Sequence, residues 1–135
     1  MSRRKRLRRI LAPPGFKGYR PYGHIRGKMD HIELLYEEYE AIKLADYDHM
    51  NHQEASVLMG VSRPTFARIY ESARRKIAMA LVETREIRSA SGNAWMDESW
   101  FLCEDCQSRF TMPSTIQAQR CPLCKSANIK AIHTA

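Results

Sequence analysis

A tight turn followed by a long basic helix is predicted by one stretch of the chain, which reads Gly60-Val61-Ser62-Arg63-Pro64-Thr65-Phe66-Ala67-Arg68-Ile69-Tyr70-Glu71-Ser72-Ala73-Arg74-Arg75-Lys76-Ile77. Gly60 tolerates the positive φ angle that ends one helix and redirects the chain. Ser62 is a favourable N-cap, and Pro64 lies in the first turn, where its missing N–H costs nothing. The sequence therefore predicts a sharply defined helix start at Ser62.

The predicted helix has an apolar face and a basic face. At 100° per residue its apolar side chains fall on one arc of about 120°, which predicts a core-facing stripe. The members of this stripe are Phe66, Ile69, Tyr70, Ala73, Ile77 and Leu81. Arg68 and Arg75 lie on the opposite side of the helix. An exposed first turn with arginines on the outer face suits a helix that enters the major groove of DNA.

Two shorter helices are predicted before the turn. The first extends from Tyr36 to Ala45, where apolar residues recur at helical spacing. Glu37 and Glu38 lie in its first turn, and we expect them to be solvated and to complement the helix dipole. In the second helix, which ends near Met59, Asn51 is the predicted N-cap. Two helices joined by a short turn that contains glycine form a helix-turn-helix.

Four stretches of the chain resemble a family of small prokaryotic proteins of unassigned function that are predicted to bind DNA. These stretches are Tyr39-Glu40-Ala41-Ile42-Lys43-Leu44-Ala45-Asp46, Gln53-Glu54-Ala55, Met59-Gly60-Val61-Ser62-Arg63-Pro64-Thr65-Phe66 and Glu71-Ser72-Ala73-Arg74-Arg75-Lys76. The resemblance covers about residues 30 to 88 and implies a helix-turn-helix similar to that in region 4 of sigma factors. It implies a fold and a class of ligand, and it assigns no biochemical role.

The residues predicted to contact DNA lie on the third helix. They are Ser62, Arg63, Pro64, Thr65, Arg68, Arg74, Arg75 and Lys76. Arg63 and Arg68 are the candidates for reading bases, because arginine binds guanine O6 and N7 with two hydrogen bonds. Arg63 lies at the edge of the apolar arc, so a phosphate contact is the alternative for this residue. Arg74, Arg75 and Lys76 are expected to contact phosphates, which set position and affinity. The alternative is a solvated helix face with local ion pairs, such as Glu71 with Arg75.

Composition supports a polyanionic partner. The chain has 135 residues, 44% of them hydrophobic, and a formal net charge of +7. This charge favours nucleic acid over a membrane surface, because no long basic amphipathic helix precedes the predicted core. No segment approaches the roughly 18 uninterrupted apolar residues of a membrane span. Only Ile10-Leu11-Ala12 follows the basic N-terminus, so we expect no secretory signal and a cytoplasmic location.

Residues 1–30 are predicted to form a basic arm rich in proline and glycine. Its cationic side chains, expected to contact the DNA backbone, are Arg3, Arg4, Lys5, Arg6, Arg8 and Arg9. Such an arm orders on binding and contacts phosphates or the minor groove. The alternative is a tail that only increases solubility. Phe16, Tyr19 and Tyr22 are expected to pack against the helical domain.

Four cysteines near the C-terminus predict a metal site. Cys103, Cys106, Cys121 and Cys124 follow the spacing C-x2-C-x14-C-x2-C, which is close to the tetrathiolate zinc pattern. We expect strands at 100–102, 109–111 and 128–132 around two knuckles, as in a zinc ribbon. Iron bound by the same four thiolates and a pair of disulfides are the alternatives. A closed tetrathiolate site has no open coordination position, so hydrolytic zinc catalysis is not expected.

The sequence therefore predicts a mainly α protein, with a helix-turn-helix domain and a small C-terminal β zinc ribbon. The predicted divisions are an arm at 1–30, a helix-turn-helix domain at 31–88, a linker at 89–99 and a ribbon at 100–135. The expected function is sequence-specific binding of double-stranded DNA in transcriptional regulation, with structural Zn²⁺, no enzymatic activity and a possible homodimer. The alternative is an adaptor that binds a protein such as RNA polymerase through the ribbon, with only non-specific DNA binding.

Overall fold

The computed structural model describes residues 7–23, 30–112 and 120–132. The helices are α1 (Tyr36–Ile42), which continues as a π-helical segment (Lys43–Tyr47), α2 (His52–Met59) and α3 (Arg63–Glu83). The strands are β1 (Arg8–Arg9), β2 (Gly18–Tyr19), β3 (Ile32–Leu35), β4 (Ile87–Ala90), β5 (Ala94–Trp95), β6 (Trp100–Cys103), β7 (Arg109–Thr111) and β8 (Ile129–Ile132). The chain is therefore mixed α/β, and a mainly α class is not confirmed. Strands of two to four residues are too short to give an alternating pattern in the sequence.

The turn between α2 and α3 has the predicted geometry. Gly60 ends α2 in the left-handed conformation with φ of 68°. The Ser62 side chain accepts a hydrogen bond from the Thr65 N–H at 3.2 Å and caps α3. Asn51 caps α2 in the same way by accepting from the Glu54 N–H at 2.8 Å. Local capping chemistry thus determines where both helices begin.

The helices enclose the first hydrophobic core. Its buried residues are Ala41, Leu44, Ala55, Met59, Phe66 and Ile69. Of the apolar stripe predicted for α3, Phe66, Ile69 and Tyr70 pack in this core. Ala73 is also buried, but Leu81 is 76% exposed. Ala80 is the buried residue at that end of α3. Ala80 and Leu81 are 100° apart around the helix axis. The buried face of α3 therefore includes Ala80 at this end of the helix and does not extend to Leu81.

A three-stranded sheet lies against the helices, with the order β2-β4-β3. β3 and β4 are parallel, and the three helices form the connection between them. β2 is antiparallel to β4 on its other edge. β4 and β5 occupy part of the stretch predicted as a linker at 89–99. The loop-like composition of residues 89–99 did not indicate these strands. Short strands form because neighbouring strands supply hydrogen bonds, and their own residue types need not favour a strand.

The C-terminal segment forms a second sheet with the order β7-β6-β8, in which both pairings are antiparallel. The three strands predicted around the cysteines are thereby confirmed. The core of this sheet contains Ala12, Cys103, Phe110 and Cys121. Three of these residues come from the segment itself, whereas Ala12 comes from the N-terminal part of the chain.

An N-terminal strap, residues 8–12, links the helical part of the molecule to the C-terminal segment that contains the cysteines. Its β1 pairs in parallel with β5, with Arg8 opposite Ala94 and Arg9 opposite Trp95. Ile10, Leu11 and Ala12 are buried. The Leu11 carbonyl accepts hydrogen bonds from the N–H of Thr111 at 2.6 Å and from its hydroxyl at 2.9 Å. Residues 8–12 are therefore a structural part of the fold, whereas the sequence predicted a free arm.

The glutamates of α1 are buried, and the prediction of a solvated face is wrong. Glu37, Glu38 and Glu40 are only 2 to 3% exposed. Glu37 accepts hydrogen bonds from the Asn93 N–H, at 3.1 and 3.2 Å to its two oxygens. Glu38 accepts from the Leu35 N–H at 2.8 Å and from the Ser72 hydroxyl at 2.6 Å. The strap and the turn between β4 and β5 cover Glu37, the strap covers Glu40, and α3 covers Glu38. The local sequence could not indicate these contacts, because they come from distant segments.

No helix in the described ranges is both long enough and apolar enough to cross a membrane.

Candidate metal centre and nucleic-acid interface

The two cysteine pairs lie in turns with the same hydrogen bonds. In the first turn, Cys103 N–H donates to the Ser108 carbonyl at 2.9 Å, and Gln107 N–H donates to the Cys103 carbonyl at 2.9 Å. In the second, Cys121 N–H donates to the Ser126 carbonyl at 2.8 Å, and Lys125 N–H donates to the Cys121 carbonyl at 3.0 Å. Gln107 and Lys125 have positive φ angles of 64° and 66°. Each turn therefore directs two sulfurs to the same side.

The four sulfurs form one cluster. All lie within 4.8 Å of one another, with 3.4 Å between Cys103 and Cys124 and 3.7 Å between Cys106 and Cys121. A tetrahedral ion with Zn–S bonds of about 2.3 Å requires sulfur separations of about 3.8 Å. All four cysteines are free, so the disulfide alternative is not supported. The cluster has the geometry of a site for one metal ion.

The thiols differ in their electrostatic environment. Hydrogen bonding to Ser108, whose Oγ lies 3.1 Å from the sulfur, lowers the pKa of Cys106 to about 6. Burial raises the pKa of Cys121. Two N–H groups, from Leu123 and Cys124, point at the Cys121 sulfur from 3.4 and 3.5 Å. Such N–H···S contacts favour a thiolate, which is the form that binds metal.

The second cysteine turn contacts the helical part through charged side chains. The Lys125 ammonium donates to Asp48 Oδ1 at 2.6 Å, and Lys43 donates to Asp48 Oδ2 at 2.7 Å. The side chains of Lys43 and Asp48 are almost fully buried. The Tyr47 hydroxyl donates to the Leu123 carbonyl at 3.4 Å. The cysteine cluster is thus attached to the end of the π-helical segment and the loop before α2.

The start of α3 presents polar and cationic side chains to solvent. Arg63, Pro64 and Arg68 are exposed, and Thr65 is partly exposed. Arg68 donates to the Thr65 hydroxyl at 3.2 Å, and Ser62 donates to the same oxygen at 2.9 Å. The first turn of α3 therefore forms one exposed polar surface with arginines at positions 63 and 68.

The basic residues further along α3 divide into two groups. Arg75 is exposed and pairs with Glu71 at 2.9 Å, and the exposed Arg74 places its guanidinium 5.3 Å from the centre of the Tyr70 ring. Lys76 points inward, where it donates to Glu38 at 2.7 Å and to the Glu33 carbonyl at 2.8 Å. Arg74 and Arg75 are available to a partner, whereas Lys76 holds α3 against α1 and β3.

Arg8 and Arg9, the two predicted arm residues that the structure describes, also form contacts within the protein. Arg8 pairs with the buried Glu37 at 3.4 Å. Arg9 pairs with Asp97 at 3.3 Å, and its guanidinium lies 4.9 Å from the Trp95 ring centre. These two arginines stabilise the strap. Their placement does not favour the contact with the DNA backbone that the sequence predicted for them. The other predicted arm residues, Arg3, Arg4, Lys5 and Arg6, lie outside the described residues.

Sequence reasoning missed the contacts that join the two parts. Asp48 lies between the first predicted helix, which ends at Ala45, and the predicted N-cap Asn51. Lys125 directly follows a cysteine pair, and neither position carries a recognisable motif. One signal was present, namely three consecutive apolar residues, Ile10-Leu11-Ala12, within a basic and proline-rich stretch. Buried strands often appear as such short apolar runs.

A family described as "Protein of unknown function DUF134" matches residues 1–97. The chain belongs to this family. A UPF0251 protein of Chloroherpeton thalassium is 36% identical over 130 residues, which cover 96% of this chain and 86% of that protein. A UPF0251 protein of Methanothermobacter thermautotrophicus is 38% identical over 98% of this chain and 68% of its own length. No solved structure matches the chain.

Membership of the DUF134 family confirms the uncharacterised prokaryotic family inferred from the sequence stretches around α1, α2 and α3. The family match ends at residue 97, before the four cysteines. The alignments with the two relatives cover more than nine-tenths of the chain and therefore extend into the C-terminal segment.

Proposed function

We propose that the chain is a sequence-specific binder of double-stranded DNA in which α2, the Gly60 turn and α3 act as a helix-turn-helix. The observation that carries this proposal is the capped and exposed first turn of α3, which presents Arg63, Thr65 and Arg68 together. A recognition helix reads bases with side chains near its N-terminus. Arg74 and Arg75 then contact phosphates on the same side of the complex. The protein is a transcriptional regulator in this proposal and has no catalytic role.

The C-terminal segment is a zinc ribbon in the same proposal. Four thiolates at tetrahedral spacing suit Zn²⁺ and leave no open coordination position, so the metal has a structural role. A segment of about 35 residues is too small to fold by its hydrophobic core alone, and metal binding supplies much of the folding free energy. Iron also binds four thiolates. Metal analysis and the visible colour of an iron site distinguish it from zinc.

The proposal is tested by selecting bound duplexes from a random DNA pool with purified, metal-loaded protein at near-physiological salt. Enrichment of a defined motif is the expected result. Binding that is sensitive to salt but blind to sequence would contradict the proposal. It would favour a protein adaptor that acts through the C-terminal segment, with RNA polymerase as one partner to test.

A further inference from the structure

A cleft lies where α2 and the loop before it meet the strap and the second cysteine turn. Its volume is about 510 Å³, which is within the usual range for sites that bind small molecules. We call it the α2 cleft. Its apolar lining comes from the helical part, the strap and the C-terminal segment, namely Leu11, Leu44, Met50, Leu58, Met112 and Pro122.

Lys43 supplies a buried cation to the α2 cleft. Its side chain is 7% exposed and lines the cleft. An ammonium group has three N–H donors. Within the described residues Lys43 donates one hydrogen bond, to Asp48 Oδ2 at 2.7 Å. Because a buried donor without a partner costs free energy, an acceptor bound in the cleft is stabilised by the donors that remain.

A second ammonium group lies beside the first. Lys125 also lines the cleft, and it donates to Asp48 Oδ1 at 2.6 Å and to the Pro122 carbonyl at 2.9 Å. Lys43 and Lys125 therefore share one carboxylate, which compensates only one of their two charges. Glu40 also interacts with Lys43, but burial raises the pKa of Glu40 to about 7, so it is mostly protonated in mildly acidic solution.

The other charged residues of the cleft balance one another. Arg120 and Glu54 line the cleft, are exposed, and carry opposite charges. Arg9 lines the cleft and pairs with Asp97, which lies outside it. The excess positive charge of the α2 cleft is therefore located at the two lysines that share Asp48. This position favours an anionic group over a cationic one.

We propose that the α2 cleft binds a small molecule that carries a carboxylate on an apolar body, such as a medium-chain carboxylic acid. The carboxylate accepts hydrogen bonds from Lys43 and Lys125, and the apolar body packs against Leu11, Met50 and Leu58. Burial of each CH₂ group of the ligand contributes about 0.8 kcal/mol. A cation of the same shape meets two ammonium groups and binds more weakly.

Titration of the metal-loaded protein with octanoate tests the site, at about pH 6 and with the methionine methyl groups followed by NMR. Met50 lines the cleft, whereas Met79 lies on α3 outside it and is the internal control. We expect a saturable shift of the Met50 methyl signal and none of Met79. Octylammonium, which has the same chain and the opposite charge, should bind at least about tenfold more weakly. No saturable shift of Met50, or equal affinity for the two probes, would overturn the proposal.

A charge change at the rim of the cleft gives an independent test. Val57 lines the cleft and is 65% exposed, so Val57→Glu and Val57→Lys leave the core intact. The dissociation constant of octanoate should rise about threefold with glutamate and fall with lysine at low salt, because the added charge repels or attracts the carboxylate. The matched control is Val82→Glu on α3, whose valine is 74% exposed and does not line the cleft.

Octanoate affinity that is the same for Val57→Glu and Val57→Lys would contradict an anion site, and so would an equal loss from Val82→Glu. These titrations contain no DNA. Their failure would therefore overturn the ligand site alone, and a protein that binds octanoate but no DNA would contradict only the proposed function.

Discussion

Glu40 is a carboxyl group held in an apolar environment between α1 and the strap. It is 2% exposed, and within the described residues its Oε1 has no hydrogen-bond partner. Burial raises the pKa of Glu40 to about 7, although attraction to Lys43 and a hydrogen bond from the Leu11 N–H lower it. The folded pKa thus lies above the usual value of 4.5. Folding therefore favours the protonated form of this side chain.

This raised pKa predicts how Glu40→Gln changes stability with pH. Between the unfolded and folded pKa values the native state binds more protons, so the ionised carboxyl costs stability increasingly as pH rises to about 7. The variant lacks this cost, and its stability relative to the wild type should increase by about 2 kcal/mol from pH 5 to pH 8. Urea unfolding of both proteins at each pH measures the difference. A difference that is independent of pH would contradict the assignment.

Arg68 and Arg75 provide a matched pair for the proposed DNA contact, because both are exposed arginines on α3. Arg68→Ala should remove about 1 to 3 kcal/mol of discrimination between the selected duplex and a mismatched one. Arg75→Ala should weaken binding to all duplexes and reduce the salt slope by about one. Fluorescence anisotropy with specific and random duplexes separates the two effects. Equal losses on both duplexes from both variants would refute this division of roles.

At the scale of the elements, the stability of the α2–α3 pair depends on the backbone conformation of the turn at Gly60. Gly60 adopts φ of 68°, and a Cβ built there meets nothing within 4 Å. Gly60→Ala therefore changes backbone strain without adding a clash. The free energy of unfolding should fall by about 1 to 2 kcal/mol, which is the cost of the left-handed conformation for a residue with a Cβ.

The control for this change is Gly15→Ala. A Cβ at Gly15 also meets nothing within 4 Å, but no positive φ is required there. Its free energy of unfolding should stay the same or rise by up to about 1 kcal/mol, because alanine restricts the unfolded chain. Chemical denaturation of both variants checks the pair. If the two substitutions cost the same, backbone conformation at the turn is not what sets the stability of α2 and α3.

At the scale of the whole molecule, the strap and the second cysteine turn join the four-cysteine cluster to the helices. Leu11 accepts two hydrogen bonds from Thr111 of β7, and Lys125 reaches the buried Asp48. The positions of these groups depend on the fold of the cysteine segment. Disorder in that segment would therefore remove contacts from the helical part.

Removing the metal should accordingly destabilise the helices as well as the C-terminal sheet. Chelation is expected to lower the melting temperature of the helical signal in circular dichroism, by about 4 to 8 °C for each kcal/mol lost. Cys124→Ser should reproduce the effect, because it removes one thiolate ligand. The control is Lys130→Ala, which removes a cation of β8 whose ion-pair partner among the described residues is the exposed Glu104. Identical melting with and without bound metal would show that the two parts are uncoupled.

The amino-acid sequence by itself determined the features that depend on neighbouring residues. The caps at Asn51 and Ser62 and the left-handed Gly60 are local hydrogen-bonding and backbone effects, so their residue types predict the helix boundaries. The spacing within each cysteine pair is also a local feature, because two intervening residues suffice to turn both sulfurs to one side. The clustering of all four sulfurs confirmed that prediction.

Only the tertiary structure decided which charged residues are free and which are buried. Glu37, Glu38, Arg8 and Lys76 look like surface residues in the sequence, yet they form internal contacts because distant segments cover them. The strap contains an apolar tripeptide, Ile10-Leu11-Ala12, whose burial depends on β7, about 100 residues away. Leu81 fitted the apolar periodicity of α3 and is nevertheless exposed, because periodicity identifies a face but not the partner that covers it. Burial depends on contacts between distant segments, and these exist only once the chain has folded.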